Sequence, residues 1–135
     1  MERKAKGQTF DTVSFVWMQG ESDTKPRAVE QYFESFERLT SRLKCDLKID
    51  SMNIVIGRLS DYGLDRNNKE SWIKLRELQV KYAEERAHCD WVNTDDLNNV
   101  IRKDGSVGND LHYTKEGYVT LGQRFAEKAI ALIKK

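Results

Sequence analysis

The feature that most constrains the fold of this chain is a regular alternation between two kinds of hydrophobic pattern. Three short β-rich runs, at 12–17, 52–56 and 90–94, are each followed by a stretch in which apolar residues recur every three or four positions. This recurrence is typical of one face of an amphipathic helix. Strands that alternate with helices predict a parallel sheet with right-handed crossovers. We therefore expect an α/β domain with the element order β-α-β-α-β-α.

Local signals predict where the three helices begin. Pro26 suits the first turn of a helix of about 18 residues, because a proline there loses no hydrogen bond. Ser71 and Thr114 are side chains of the kind that cap a helix at its N-terminus. The segment between the third strand and Thr114 carries no periodic pattern, so a long loop is expected there.

Composition excludes several classes of protein. The chain has 135 residues, which supports a single domain, 1–135. Its 23 basic and 22 acidic side chains leave a net charge of +1, so we expect neither a nucleic acid nor an anionic membrane as partner. No apolar run is long enough to span a bilayer, and two histidines without a ligand cluster argue against a metal site. The cellular compartment is left open.

The predicted sheet indicates where a ligand would bind. In parallel α/β sheets, ligands bind beyond the carboxyl ends of the strands. This rule selects three segments, 18–24, 57–70 and 94–114, which should lie side by side along one rim of the sheet.

The first rim segment contains groups suited to acyl chemistry. Gly20 follows an apolar strand and permits a sharp turn with close approach of the backbone to a ligand. The amide of Gln19 could donate to an oxyanion, and Glu21 offers a carboxylate. The alternative is an ordinary strand-to-helix turn whose polar residues cap the next helix.

The third rim segment contains His112, one of the two histidines of the chain. A histidine side chain ordinarily titrates near neutral pH, which suits a general base. Asp110 or Asn109 could orient its ring. The alternative is a surface-loop histidine surrounded by capping residues. His88 lies late in a helix among charged residues and is expected to be solvated.

Two motifs together resemble a known family. WMQGESD at 17–23 and NDLHYTKEGYVTLGQRFAEKA at 109–129 are similar to segments of the sialate O-acetylesterase-like carbohydrate esterases, in the SGNH hydrolase superfamily. The resemblance extends from Phe10 to Ile133 and includes LRELQ at 75–79. It implies a flavodoxin-like three-layer α/β/α fold. It also implies hydrolysis of acetyl esters on carbohydrates by a Ser-His-acid arrangement, with no metal and no organic cofactor.

The resemblance also implies roles for individual residues. His112 would be the general base that takes the serine proton and returns it to the leaving sugar hydroxyl. Gln19, with Gly20, would polarise the oxyanion, and Glu21 would be a candidate carboxylate partner. The superfamily usually has an aspartate three positions before the histidine, where this chain has Asn109. The acid is therefore Asp110, Glu21 or absent, and the sequence does not choose among the three.

The nucleophile is the larger departure from the family pattern. The family carries its serine after the first strand in a motif like GQSN, which does not occur within residues 1–135. Ser22 lies on the rim but inside the QGES block, while Ser60 and Ser106 are loop residues without a matching context. We therefore expect the C-terminal part of an esterase domain, truncated to about three strands and three helices, with 1–9 as the remnant of a preceding helix.

This expectation has consequences for activity and assembly. The chain alone should be inactive; the alternative is a non-catalytic carbohydrate-binding or scaffold domain. One edge of the strand at 12–17 should be unpaired and apolar, which favours association. A homodimer or a missing N-terminal half could cover that edge.

Overall fold

A parallel sheet of three strands forms the centre of the molecule. The computed structural model describes residues 10–135, so the remnant helix expected at 1–9 lies outside the described residues. The strands are β1 (Ser14–Trp17), β2 (Asn53–Gly57) and β3 (Cys89–Val92), in the order β1-β2-β3. Both strand pairs are parallel, which confirms the predicted α/β architecture.

Three helices cover the two faces of the sheet: α1 (Pro26–Leu47), α2 (Lys69–Glu84) and α3 (Lys115–Ile133). Every residue of β2 is buried, as expected for a central strand covered on both sides.

Successive side chains of β2 point to opposite faces of the sheet. Ile54 and Ile56 pack with Phe36 of α1 and Tyr82 of α2. Val55 lies on the other face and packs in the cluster that contains the buried residues of α3. The arrangement is a three-layer α/β/α sandwich in which one face carries two helices and the other carries one.

The helix starts agree with two of the three local signals. α1 begins at Pro26, and it runs for 22 residues, slightly longer than expected. Thr114 is the N-cap of α3, and its hydroxyl accepts a hydrogen bond from the Gly117 amide at 2.9 Å. The prediction of Ser71 as the cap of α2 was wrong, because the helix begins at Lys69 after Asn68. Asn68 is held there by a tertiary hydrogen bond, which its Nδ2 donates to the hydroxyl of Thr24, just before α1, at 2.6 Å.

The segment between β3 and α3 is more ordered than its sequence indicated. It contains an antiparallel hairpin of β4 (Asn99–Ile101) and β5 (Val107–Asn109). Gly105 in the connecting turn has a φ of +82°, which a glycine adopts without strain. The hairpin carries no clear burial pattern, because Ile101 and Val107 are both exposed. Its strands of three residues are also too short for periodicity to reveal.

One side of the sandwich presents apolar surface. Within residues 10–135, β1 pairs with β2 alone, and 43% of the Val16 surface is exposed. On α3, Arg124 and Lys128 bond to the backbone or side chains of the β3 region, so the opposite flank of the helix turns away from β3. We call Val16 of β1, together with Tyr118 and Ile133 as the exposed apolar residues of this flank, the β1 surface.

Two further classes of structure are absent from the described residues. No helix in 10–135 is long and apolar enough to cross a membrane. The same residues contain no cluster of three or more histidine, cysteine or acidic side chains that could hold a metal ion.

A matched pair of substitutions tests the layer arrangement. Val16 and Val55 are register partners on neighbouring strands, but Val55 is fully buried. We predict that Val55→Ala lowers the free energy of unfolding by about 2 kcal/mol, because it removes two buried methyl groups and leaves a cavity. Val16→Ala should cost less than half as much in urea denaturation. Equal losses would mean that another surface covers Val16 in solution.

Candidate functional site

The QGES segment forms a tight turn at the end of β1 that only a glycine can make. Gly20 has a φ of +146° and is buried. A Cβ at this position would lie 3.2 Å from Leu75 Cδ2 and 3.3 Å from the Tyr32 ring. The chain then enters a short 3₁₀ helix, Glu21–Asp23. The alternative was a turn whose polar residues cap the next helix. The structure does not have this arrangement, because α1 begins at Pro26 and its N-cap, Lys25, forms no side-chain capping bond.

The backbone of Gln19 is fixed while its side chain is left accessible. Its carbonyl accepts hydrogen bonds from Tyr32 Oη (2.7 Å) and from Gln79 Nε2 (3.3 Å). Gln79 is fully buried, and its Oε1 accepts a hydrogen bond from the Leu59 amide at 2.9 Å. The residue Gln19 itself is exposed and, together with Trp17, lines a cavity of 270 Å³ beside β1. Most of the other residues that line this cavity belong to α1, and His112 is not among them.

Glu21 lies on the side of the turn that faces the third rim segment. Its Oε2 accepts a hydrogen bond from the Gly20 amide at 3.0 Å. Burial raises the pKa of Tyr113 to about 12, and the negative charge of Glu21 adds to the rise. Tyr113 therefore remains a neutral phenol near this carboxylate, and its hydroxyl lies 3.7 Å from Met18 Sδ. In this way the residue after His112 touches the segment that carries Gln19 and Glu21.

His112 lies on the loop between β5 and α3, with its side chain 76% exposed. Its Nδ1 is 3.9 Å from Asp110 Oδ1, which is longer than a hydrogen bond. The same carboxylate oxygen accepts a hydrogen bond from the His112 backbone amide at 3.1 Å. Within residues 10–135, no hydrogen bond or ion pair joins Glu21 to His112. Among the described residues, Asp110 is therefore the carboxylate nearest to the imidazole.

Hydrogen bonds join the second and third rim segments. The hydroxyl of Thr94 donates to the carbonyl of Arg58 at 2.7 Å. Asn98 Nδ2 donates to Asp61 Oδ1 at 3.1 Å. With the Tyr113 contact to Met18, all three segments selected from the sequence meet on one rim of the sheet.

A salt-bridge cluster stabilises the same junction. Asp95 accepts two hydrogen bonds from Arg76, at 2.8 and 3.0 Å, and one from Arg58 at 2.7 Å. Burial, followed by the positive charge of Arg76, lowers the pKa of Arg58. A cavity of 550 Å³ lies between this cluster and α2, but neither His112 nor the QGES segment lines it. Despite its size, we therefore assign the cavity no part in the chemistry.

The serines considered in the sequence lie in three different local settings. Within residues 10–135, no serine hydroxyl forms a hydrogen bond with the His112 imidazole. Ser22 is exposed in the 3₁₀ helix. Ser60 is buried, and its hydroxyl accepts a hydrogen bond from the amide of Tyr62. Ser106 lies beside the hairpin turn, where its hydroxyl bonds to Asp104 at 2.7 Å.

Sequence reasoning missed several residues that shape the site. Gln79, Asn98 and Tyr113 hold the rim together through partly buried contacts. Asn98 and Tyr113 fall inside a segment that the rim rule selects, but nothing in their spacing singled them out. Gln79 lies on α2, outside every rim segment. The signal it does carry is a glutamine on the apolar side of an amphipathic helix.

The parallel sheet and its polar rim define a class, the α/β/α domains that bind ligands beyond the carboxyl ends of their strands. Within that class, the family model for the carbohydrate esterases described as sialic acid-specific acetylesterases matches residues 1–131. The chain belongs to this carbohydrate esterase family. No curated protein matches the chain.

A solved structure supports the same fold. A protein from Arabidopsis thaliana, determined at 1.6 Å resolution, is similar to this chain with a TM-score of 0.67 and 25% sequence identity. The alignment covers 99% of this chain and 47% of the Arabidopsis chain. The chain thus spans about half the length of that relative.

Two glycine substitutions should have opposite effects on stability. Gly20→Ala forces an alanine into the φ of +146° against Leu75 and Tyr32, so we predict a loss of about 1–3 kcal/mol. Gly122→Ala lies in α3 with nothing within 4 Å of the new methyl group, so it should gain about 0.5–1 kcal/mol. Thermal denaturation of both variants measures the difference. Tolerance of alanine at position 20 would contradict the strained turn.

Proposed function

We propose that this chain supplies the base histidine and the QGES block of a carbohydrate O-acetylesterase, which hydrolyses acetyl esters on sugars. The observation that carries the proposal is the contact of Tyr113 with Met18, which brings the His112 loop beside the turn of Gln19 and Glu21. Membership in the carbohydrate esterase family supports the reaction class.

The proposed reaction has two acyl-transfer steps. A serine hydroxyl attacks the acetyl carbonyl while His112 accepts its proton. The amide of Gln19 and the turn at Gly20 stabilise the resulting oxyanion. Collapse of this intermediate breaks the ester bond, and His112 returns the proton to the departing sugar oxygen. Water then attacks the acetyl-serine with His112 as base, which releases acetate and restores the serine.

We assign the orienting acid to Asp110. Its Oδ1 lies 3.9 Å from His112 Nδ1, and a rotation of the exposed imidazole could close that gap. The Glu21 carboxylate is engaged by the Gly20 amide and lies near the Tyr113 phenol instead. A carboxylate beside the imidazole stabilises the imidazolium that forms during each proton transfer.

The nucleophilic serine in this proposal comes from polypeptide beyond residues 1–135. Three observations support this. The GQSN-type motif does not occur in the sequence. No serine hydroxyl of residues 10–135 bonds to His112. The alignment with the Arabidopsis relative also leaves about half of that longer chain uncovered.

The β1 surface is the proposed docking site for that polypeptide, and the occupant is a strand parallel to β1 followed by the serine. A parallel strand added outside β1 would end at the same rim as Trp17. A residue just after that strand would therefore lie beside Gln19 and the cavity at this edge. The helix that follows the strand would cover the apolar flank of α3.

Docking at this surface can be tested with a charged residue and a matched control. We predict that Val16→Lys abolishes co-purification of the chain with a co-expressed N-terminal polypeptide that carries a GQSN-type strand end, because a charge on an edge strand blocks pairing. Val107→Lys places the same charge on an exposed valine of the β4–β5 hairpin and should have no effect. A homodimer of the chain alone that Val16→Lys dissociates would instead identify a second copy as the occupant.

The catalytic role of His112 can be tested by hydrolysis of 4-nitrophenyl acetate. The chain alone should hydrolyse this ester at the background rate. Its complex with the co-expressed N-terminal polypeptide that carries the serine should be active. We predict that His112→Ala lowers the rate of the complex by about 10³-fold or more, since the base acts in every proton transfer. His88→Ala changes the other histidine, which lies beside β3 at the opposite end of the sheet, and should leave the rate unchanged.

Two results would contradict the esterase proposal. One is a fully active complex with His112→Ala. The other is an inactive complex that still binds acetylated carbohydrate, which would favour the alternative of a non-catalytic carbohydrate-binding or scaffold domain.

A further inference from the structure

We infer that Asn98 is a positioning residue for His112, an inference that rests on the proposed role of His112 as the base. Asn98 is fully buried beneath the loop that carries the histidine. Its Nδ2 donates to the carbonyl of Asp110 at 2.8 Å. The Asp110 amide donates back to the Asn98 carbonyl at 3.0 Å. The residue two positions before His112 is therefore held by two hydrogen bonds to one buried asparagine.

The neighbouring residue holds the other end of the same loop. The Leu97 carbonyl accepts a hydrogen bond from the Thr114 amide at 3.1 Å. Gly117 packs so closely on this carbonyl that a Cβ there would lie 2.1 Å from the oxygen. Asn98 thus fixes the backbone of Asp110, two positions before His112. Leu97 fixes the backbone of Thr114, two positions after it.

Because the His112 side chain is exposed, the hydrogen bonds that fix the loop backbone determine where the imidazole lies. The imidazole is 76% exposed, and its nearest carboxylate is beyond hydrogen-bonding distance. Its own side-chain contacts therefore do little to fix its place, and the loop backbone sets where the ring sits relative to the QGES turn. A shift of about 1 Å in such a group can cost about a hundredfold in rate.

The hydrogen-bonding pattern of Asn98 indicates that its donors matter most. Its Nδ2 makes two bonds, to Asp110 and to Asp61, whereas its buried Oδ1 has no partner within the described chain. A buried acceptor without a partner is costly, so an asparagine used only to fill space would be a poor choice. The amide donor connects the His112 loop with the second rim segment through Asp61.

Replacement of the donor by an isosteric acceptor provides the test. Asn98→Asp keeps the shape of the side chain but turns an acceptor toward the Asp110 carbonyl and the Asp61 carboxylate. Asn99→Asp is the matched control, because it makes the same change at the exposed neighbouring residue. The measurement is NMR of the 135-residue chain, which follows backbone amide exchange and the ring signals of its two histidines.

We expect a selective effect at His112. In Asn98→Asp its amide should exchange about fivefold faster or more, because loss of the Asp110 anchor loosens the hydrogen bond from this amide to Asp110 Oδ1. Its ring signal should also move. The His88 ring and the Gly117 amide, which bonds to Thr114, should remain as in the unchanged chain. Asn99→Asp should leave all four signals in place.

Either of two results would overturn the inference. One is an unchanged His112 in Asn98→Asp. The other is an equal loss at His112, Gly117 and His88, which would assign Asn98 a purely structural role. If Asn98→Asp unfolds the chain, the uncharged Asn98→Ala is judged by the same comparison of signals. In an active esterase complex, Asn98→Asp should lower kcat by about tenfold or more with KM unchanged. The NMR result needs no activity, so failure of the esterase proposal and failure of this inference are distinguishable.

Discussion

The arrangement of the rim depends on the hydrogen bonds that the buried side chain of Gln79 forms with two of its segments. It lies on α2 with no exposed surface, and it bonds to the carbonyl of Gln19 and to the amide of Leu59. Both backbone groups belong to segments that leave the sheet, after β1 and after β2. Without Gln79 the buried Leu59 amide would lose its partner, which is costly, while the Gln19 carbonyl would keep only its bond from Tyr32 Oη. Gln79 therefore links the QGES turn to the second rim segment, and Tyr32 anchors the same turn from α1.

The fold was predictable wherever it is dictated by local sequence. Hydrophobic periodicity revealed the order of strands and helices, since a buried parallel sheet and amphipathic helices leave distinct repeats. Pro26 and Thr114 marked helix starts because their chemistry acts within one turn. The start of α2 differs from the prediction because Asn68 forms a tertiary hydrogen bond to the hydroxyl of Thr24. No local pattern encodes this bond. The β4–β5 hairpin escaped notice because its exposed side chains leave no alternating signal.

The candidate site was predictable in its location and less so in its internal contacts. Gln19 and His112 could be singled out because the ends of parallel strands gather at one rim. The choice between Asp110 and Glu21 depends on distances, and the sequence carries none of these. Asn98 was missed for a related reason: a buried asparagine and a solvated one look the same in a sequence. Such residues emerge only when their hydrogen-bond partners are known.

The central claim is that the base and the nucleophile of this site lie on different parts of the polypeptide, joined at the edge of β1. Covalent labelling with a serine-directed fluorophosphonate, mapped by mass spectrometry, tests this most directly. The account predicts no labelled serine within residues 1–135, and one labelled serine in the co-expressed upstream polypeptide only when this chain is present. Stoichiometric labelling of any of the chain's own serines, such as Ser22, would contradict it.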